Sequence, residues 1–202
     1  GIFVKNEKNR VLNSVLNVNG GVYHKRHLVP LGEYIPLRFL IEFFNQFVKI
    51  PMSDIASGQD KQALLTAAGL PLGLSICFED AFARDVIKDL PEAKLLVNVS
   101  NDAWFGDSLS PHKHLQMAQM CSIETARPML RATNNGLSAV INHKGKLLAV
   151  SPHFETHVLS AVFQPMQGST PYVLYGNWVI ISLVVLLLLM VYFVKHRGQS
   201  LT

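Results

Sequence analysis

Residues 72–99, LGLSICFEDAFARDVIKDLPEAKLLVNV, contain two apolar runs of strand length, one at 72–76 and one at 95–99. The stretch between them, 81–90, has a helix-like pattern. Strands and helices that alternate along a chain pack as layers around one core, so this stretch predicts a layered α/β domain.

The flanking sequence extends the same pattern. Upstream, apolar runs predict strands at 1–5 and 11–18, and apolar residues at helical spacing predict a helix at 37–48. Downstream, Pro111 begins a long helical segment, at a position where proline is favoured. Strands then dominate, and they are predicted at 137–141, 146–150 and 157–163, the first two joined by a turn at 142–146.

Composition narrows the class of protein. The 202 residues are enough for one domain with its own core. Apolar residues make up 49% and charged residues 16%, which excludes a disordered chain. The 18 Lys and Arg against 14 Asp and Glu give a net charge of +4, but the basic residues are scattered, so no nucleic acid partner is expected.

The chain has two cysteines, Cys77 and Cys121. They are too few for a disulfide scaffold or a four-thiolate zinc site, and we expect Cys121 to be a buried thiol.

A long apolar segment follows the domain: residues 178–194 read WVIISLVVLLLLMVYFV. As a helix this segment would extend roughly 26 Å, close to the thickness of a hydrocarbon core. Tyr172 and Tyr175 precede it and Lys195 follows it, as at the two interfaces of a membrane span. The chain is thus predicted to comprise an extracytoplasmic domain, a membrane anchor and a basic cytoplasmic tail: 1–169, 170–194 and 195–202. A buried helix of a soluble protein is the alternative for the apolar segment.

Cys77 is the first candidate for chemistry, because it lies at the end of an apolar strand and directly before a helix-like stretch. The N-terminus of a helix favours the thiolate, which is the nucleophilic form of cysteine. Glu79 and Asp80 beside it oppose that charge unless a cation is close. Cys77 is therefore a candidate nucleophile, and a small buried apolar side chain is the alternative.

Lys25 is the second candidate, in the polar and rigid stretch 23–36, YHKRHLVPLGEYIP. The segment PLGE, residues 30–33, is a stiff turn that would hold Glu33 near Lys25. A lysine held in this way can stabilise an oxyanion, whereas a solvated charge cluster is the alternative.

A third stretch, 98–114, reads NVSNDAWFGDSLSPHKH and includes Trp104. Loops on a rigid scaffold often carry function, although local turn formation explains the same residues. His112 and His114 have the appearance of a metal pair, but the chain has neither an HExxH motif nor a cysteine cluster, so we expect no metal. The GxSxG, GxGxxG and P-loop motifs are absent, which argues against serine-elbow hydrolases and the common nucleotide folds.

Five segments carry a resemblance to a known family: YHKRHLVPLGEYIP (23–36), ICFED (76–80), NVSNDAWFGDS (98–108), ETARPMLRATNNGLSAVI (124–141) and TPYVLYGNW (170–178). In this order they resemble the bacterial apolipoprotein N-acyltransferases, membrane members of the nitrilase (C–N hydrolase) superfamily. The resemblance implies a nitrilase-like αββα sandwich, incomplete at its N-terminus, on the periplasmic side of the inner membrane, followed by one transmembrane helix. It also implies acyl transfer from a membrane phospholipid to the N-terminal amine of a diacylglyceryl-cysteine lipoprotein, without a cofactor.

The resemblance also assigns roles to residues. Superfamily catalysis uses a Glu-Lys-Cys triad, in which Cys77 would be the nucleophile and Lys25 the lysine. Support or substrate binding is assigned to four further residues: Glu33, Phe78, Glu79 and Trp104. The backbone N–H of Phe78 would hold the oxyanion together with Lys25, and the tyrosine hydroxyl that the family often has at this position is absent.

The triad glutamate of the family precedes the lysine on an earlier strand. Here the one carboxylate before Lys25 is Glu7, outside any matching motif. The resemblance therefore implies the C-terminal part of an enzyme whose general base lies upstream, and we expect residues 1–202 alone to be inactive. Two alternatives stay open: a membrane-tethered nitrilase-like amidase, and an anchored remnant without catalysis.

Overall fold

Two β-sheets form the centre of the computed structural model, which describes residues 1–36 and 55–199. The helix predicted at 37–48 lies outside the described residues. The first sheet has three antiparallel strands in chain order: β1 (Ile2–Lys5), β2 (Val11–Leu16) and β3 (Val22–His24). The strands predicted at 1–5 and 11–18 are thus confirmed, while β3 was not predicted.

A tight turn ends β2 earlier than the sequence pattern indicates. The Asn17 N–H donates to the Gly21 carbonyl at 3.1 Å, which closes the turn directly after Leu16. Gly20 has a φ of 100°, a left-handed value that glycine adopts without steric cost. The turn returns the chain beside β2 as β3, and Lys25 follows at the end of that strand.

The second sheet has six strands in chain order: β4 (Leu65–Ala67), β5 (Leu70–Ile76), β6 (Leu95–Ser100), β7 (Met129–Thr133), β8 (Ala139–Ile141) and β9 (Leu147–Val150). The three central strands, β5, β6 and β7, are parallel, and the outer pairs are antiparallel. Parallel strands need crossover connections, which usually contain a helix. The β5–β6 crossover holds a 3-10 turn (Cys77–Ala81), α1 (Ala83–Val86) and a second 3-10 turn (Ile87–Asp89), and the β6–β7 crossover holds α2 (Ser110–Thr125).

The two faces of the second sheet are covered by different layers. On one face, Tyr23 from β3 packs with Leu74 and Ile76 from β5. On the other face, Leu115 of α2 packs with Met129 of β7. Full burial of such side chains contributes roughly 1.5–3 kcal/mol each. Within the described residues the fold is therefore layered as sheet, sheet and helix, with the end of β5 between the layers.

Two predicted elements differ from the structure. The helix-like stretch 81–90 forms only the four-residue α1 and short 3-10 turns, because Phe82 leaves the helical region with φ −104° and ψ 73°. The strand predicted at 157–163 is wrong: Val158 and Val162 are 88% and 94% exposed, and the segment joins neither sheet. Apolar alternation alone does not make a strand when no sheet edge accepts it.

Two helices end the described chain, α3 (Pro171–Tyr175) and α4 (Trp178–Gln199). Thr170 caps α3 by accepting from the Val173 N–H at 3.1 Å, and its hydroxyl donates to the Glu124 carbonyl at 2.6 Å. The large apolar side chains of α4 are exposed as far as Phe193. Across residues 1–36 and 55–199, no helix has the length and hydropathy that a bilayer span requires. The anchor inferred from the sequence stays a prediction.

Candidate active site

Cys77 lies where β5 ends and the 3-10 turn begins, and it has a left-handed backbone with a φ of 56°. Residues other than glycine rarely adopt this region, and they persist there when the surrounding structure holds them. The side chain is half-buried against the core between the sheets, and the cysteine is free. The sequence prediction of Cys77 at a strand-to-helix junction is confirmed, although the helix is a 3-10 turn.

The Glu79 carboxylate ties this turn to the loop after β3. Its Oε1 accepts from the backbone N–H groups of Arg26 at 2.6 Å and His27 at 2.9 Å. Its Oε2 accepts from the Ile76 N–H at 2.7 Å and the Tyr23 hydroxyl at 3.0 Å. Burial raises the pKa of Glu79, and it outweighs these hydrogen bonds, which act to lower that pKa. Because four donors surround it, Glu79 acts as a structural bridge between Cys77 and the loop that carries Lys25.

Lys25 and Glu33 form a short ion pair. Lys25 is 1% exposed, and its Nζ lies 2.6 Å from Oε2 of Glu33. The same oxygen accepts from the Val29 N–H at 2.8 Å, and Oε1 accepts from the Asn13 amide at 3.3 Å. The predicted proximity of Glu33 to Lys25 is confirmed, and Lys25 is buried while Glu33 is half-buried, so the pair is not a solvated charge cluster.

The loop that carries Lys25 is hydrogen-bonded to the turn that begins at Cys77. Arg26, the residue after Lys25, donates its backbone N–H to Glu79, two residues after Cys77. Cys77 also packs against the core cluster that contains Tyr23, two residues before Lys25. The fold therefore brings the predicted nucleophile and the predicted lysine to the same end of the two sheets.

A buried charge cluster, Asp80, Asp102, His114 and Arg131, lies beneath the turn, with each side chain fully buried. The Arg131 guanidinium donates to Asp80 and to Asp102, at 3.0 Å in both cases. His114 places Nε2 3.0 Å from Asp80 and Nδ1 3.3 Å from Asp102. Ionised carboxylates only accept hydrogen bonds, so both ring nitrogens donate and His114 is an imidazolium.

The pKa shifts agree with this charge assignment. Burial works against the charge on His114, but its hydrogen bonds to Asp102 and Asp80 outweigh burial and raise the pKa. Burial alone would raise the pKa of Asp102, but hydrogen bonds from His114 and Ser100 and the charge of Arg131 lower it to about 2. Two carboxylates therefore face two cations, and the charge cluster has no net charge. The attraction between these opposite charges offsets the free-energy cost of removing them from water.

Asn98 connects the charge cluster to Cys77. It accepts from Arg131 Nη1 at 2.8 Å and donates to the Cys77 carbonyl at 3.0 Å and to Ser75 Oγ at 2.9 Å. Ser75, Asn98 and Arg131 are register partners on β5, β6 and β7. Sequence analysis missed the roles of Asn98, Asp80 and Arg131. The available signal was a polar residue within an apolar run for Asn98 in β6 and Arg131 in β7, whereas Asp80 lies in the 3-10 turn and had none.

The other predicted residues have different surroundings. Phe78 is half-buried and stacks on the His114 ring, with ring centroids 4.5 Å apart. Trp104 lies in the 3-10 turn Ala103–Phe105 and is 86% exposed, so the structure does not bring it into the buried surroundings of Lys25.

His114 is hydrogen-bonded to two carboxylates and does not pair with His112 as a metal ligand. The described residues contain no group of three or more His, Cys, Asp or Glu that could hold a metal ion.

Residues 1–172 match the sequence profile of the carbon-nitrogen hydrolases. The chain belongs to the carbon-nitrogen hydrolase family. Its fold resembles a carbon-nitrogen hydrolase from Helicobacter pylori, with a TM-score of 0.51 and 18% identity over 74% of this chain and 56% of that one. It also resembles a glutamine-dependent NAD+ synthetase from Acinetobacter baumannii, with a TM-score of 0.54 and 16% identity over 78% of this chain and 29% of that one. At these identities the likeness concerns the fold alone, and it confirms the predicted nitrilase-like architecture.

This carbon-nitrogen hydrolase is also similar to curated apolipoprotein N-acyltransferases, as the sequence resemblance predicted. The protein from Methylococcus capsulatus is 49% identical over 177 residues, which is 87% of this chain and 35% of that protein. The protein from Nitrosomonas europaea is 47% identical over 167 residues, 83% of this chain and 34% of that protein. The chain therefore spans about a third of the length of the curated relatives it matches.

Proposed function

We propose that this chain is the C-terminal part of an apolipoprotein N-acyltransferase in which Cys77 carries the acyl group as a thioester. The observation that carries the proposal is the left-handed Cys77 at the end of β5, tied through Glu79 to the loop that holds the buried Lys25. A cysteine in a strained, half-buried turn that is hydrogen-bonded to the loop of a buried lysine has an arrangement suited to an activated nucleophile.

In the first step, Cys77 Sγ loses its proton to a general base and attacks an ester carbonyl of a membrane phospholipid. Lys25 and the backbone N–H of Phe78 stabilise the tetrahedral oxyanion, for which one donor is typically worth about 2.7–4 kcal/mol of barrier. The C–O bond breaks, the lysophospholipid leaves as an alcohol with the proton, and the thioester remains. In the second step the amine of a diacylglyceryl-cysteine lipoprotein attacks the thioester, which forms an amide and restores the thiol.

The general base of this reaction is proposed to lie outside residues 1–202. Glu79 accepts four hydrogen bonds, and Glu33 is paired with Lys25. Glu7 lies in the exposed turn between β1 and β2. Since the chain spans about a third of its curated relatives, we expect residues 1–202 alone to show no acyl transfer.

We further propose that α4 anchors the domain in the inner membrane, with 1–169 in the periplasm, the anchor at 170–194 and the tail at 195–202 in the cytoplasm. The exposed apolar side chains of α4 support this proposal, because water disfavours such a surface and lipid does not. Trp178 at the start of α4 and the basic residues after 194 fit the two interfaces. Trp104 is proposed to contact substrate from its exposed position.

Acyl-thioester formation tests the nucleophile. Cys77→Ala in the full-length protein, incubated with phospholipid, should abolish the thioester adduct on intact-mass spectrometry. Cys121→Ala is the matched control and should keep it, because Cys121 lies on the buried face of α2 and packs in the core. An acyl-thioester that persists in the Cys77→Ala protein would show that the nucleophile is wrongly assigned.

The role of Lys25 is tested by the rate of thioester formation in a Lys25 variant that is shown to be folded. Lys25→Met should slow thioester formation about 100- to 1000-fold, the usual effect of losing one oxyanion donor. Lys144→Met, at an exposed position in the β8–β9 turn, is the control and should leave the rate unchanged. A Lys25→Met protein that is folded and as fast as the wild type contradicts the assignment.

A further inference from the structure

We propose that Arg127 is a positioning residue that holds the domain with Cys77 in a fixed orientation to α4. Arg127 lies between α2 and β7, and its side chain is 1% exposed. This inference rests on the proposed function, because α4 is the helix proposed to anchor the domain in the membrane.

The Arg127 guanidinium joins three segments of the chain. Its hydrogen bonds all go to backbone carbonyls: Pro91, Ala93, Thr125, Ala126 and Gly168. The shortest bonds run from Nε to Ala93, at 2.7 Å, and from Nη2 to Gly168, at 2.6 Å. No carboxylate among the described residues pairs with this cation. Hydrogen bonds to carbonyls therefore offset the burial of Arg127, and they join the end of α2, the segment before β6 and the segment before α3.

Two further hydrogen bonds hold the segment before α3, one on each side of its contact with Arg127. The Met166 N–H donates to the Lys94 carbonyl at 3.1 Å. The Thr170 hydroxyl donates to the Glu124 carbonyl at 2.6 Å. The three contacts lie two residues apart, so the chain enters α3 at a fixed position on the domain.

The helix α2 connects this segment to the turn at Cys77. Near its start, His114 Nε2 lies 3.0 Å from Asp80 in that turn, and near its end the Glu124 carbonyl accepts from Thr170. The ten residues of helix between His114 and Glu124 extend roughly 15 Å. α3 packs against α2, and only two residues separate α3 from α4. A continuous path of helices and hydrogen bonds thus runs from the turn of the proposed nucleophile to the proposed anchor.

A fixed orientation matters for an acyl donor that is itself held in the bilayer. Such a donor approaches the site from one direction, whereas a water-soluble ester approaches from any direction. Reaction rates depend steeply on how the reacting groups are oriented. Loss of the Arg127 contacts should therefore slow the reaction with a bilayer donor more than the reaction with a soluble donor, whereas general damage to the fold would slow both equally.

Thioester formation by the full-length protein, in nanodiscs of diether phospholipids that cannot donate an acyl group, tests the proposal. One donor is dioleoyl phosphatidylethanolamine in the same nanodisc. The other is p-nitrophenyl butyrate in solution, which acylates the thiol and releases p-nitrophenolate. Arg127→Lys keeps the charge but has three N–H groups instead of five, and it should lower the ratio of the bilayer rate to the soluble rate about tenfold.

A milder variant and two controls accompany Arg127→Lys. Thr170→Val removes a single hydroxyl and should lower the same ratio, by a smaller factor. Arg10→Lys and Thr156→Val make the same changes at exposed positions and should leave the ratio unchanged. Equal slowing with both donors, or an unchanged ratio in both Arg127→Lys and Thr170→Val, would overturn the proposal.

Hydrogen exchange in the same nanodiscs provides a readout that needs no acyl donor. In Arg127→Lys the backbone amides of residues 166–176 should exchange about tenfold faster, while those of β5 keep their protection. Unchanged exchange in that segment would also overturn the proposal. A wild type that forms no thioester with either donor would contradict the proposed function, and the exchange rates would still decide whether Arg127 holds α3 to the domain.

Discussion

The side-chain amide of Asn98 donates a hydrogen bond to the backbone carbonyl of Cys77 at 3.0 Å. The left-handed turn of β5 is thus held from the neighbouring parallel strand, β6. The same amide group bonds Ser75 on β5, and its oxygen accepts from Arg131 on β7. One asparagine therefore links the backbone of the proposed nucleophile to the charge cluster under the sheet.

Asn98→Ala should lower the free energy of unfolding by about 1–3 kcal/mol, because it removes the side-chain donor to the Cys77 carbonyl and one of the buried hydrogen bonds of Arg131. Ser75→Ala removes only one neutral hydrogen bond and should cost about 1 kcal/mol or less. Urea unfolding followed by circular dichroism measures both values. Equal losses in the two variants would show that the bond to Cys77 contributes nothing.

Arg131→Met should destabilise the protein by about 3–5 kcal/mol, since it leaves Asp80 and Asp102 buried with a single cation. Arg10→Met removes an exposed arginine, and its effect should stay within about 0.5 kcal/mol. Chemical denaturation of both variants at neutral pH provides the comparison. A loss below about 1 kcal/mol for Arg131→Met would mean that the cluster does not depend on its charge balance.

The charge on His114 predicts a stability that depends on pH. Its pKa is raised in the folded state, so its contribution is complete below the unfolded pKa of about 6.5 and is lost as the pH rises through the folded pKa. The unfolding free energy, measured from about pH 6 to pH 9, should fall more steeply in the wild type than in His114→Gln. Parallel profiles would contradict the imidazolium assignment.

The lowered pKa of Asp102 predicts the opposite pH dependence of stability under acidic conditions. Its folded pKa of about 2 lies below the ordinary value of 3.8, so its contribution is present above pH 3.8 and is lost as the pH falls toward 2. The difference corresponds to about 2–3 kcal/mol. Acid titration followed by near-ultraviolet circular dichroism should show a less steep loss of structure in Asp102→Asn, starting from a lower stability at neutral pH.

The two cysteines should differ in reactivity. Cys77 is half-buried, whereas Cys121 is 1% exposed and burial raises its pKa well above the ordinary value. Iodoacetamide should therefore alkylate the native protein at Cys77 and reach Cys121 only in urea, as peptide mapping by mass spectrometry would show. Modification of Cys121 at the native rate of Cys77 would contradict the burial.

Much of the site was predictable from short stretches of sequence. The apolar run before Cys77 predicted a strand that ends there, and a stiff turn predicted the contact between Lys25 and Glu33, which are eight residues apart. The helix after Pro111 and the turn at 142–146 followed from local signals of the same kind. Local backbone preferences and short loops suffice for such contacts, because few chain conformations have to be excluded.

The amino-acid sequence by itself determined the alternation of strands and helices, the apolar segment at 178–194 and the position of Cys77 at a junction. The tertiary structure alone decided that Asp80, Asp102, His114 and Arg131 would meet beneath that junction. Those residues are separated along the chain by 12 to 51 positions, and they meet only through strand register and the packing of α2. Register and packing depend on the whole core, so a polar residue in an apolar strand does not reveal its partner.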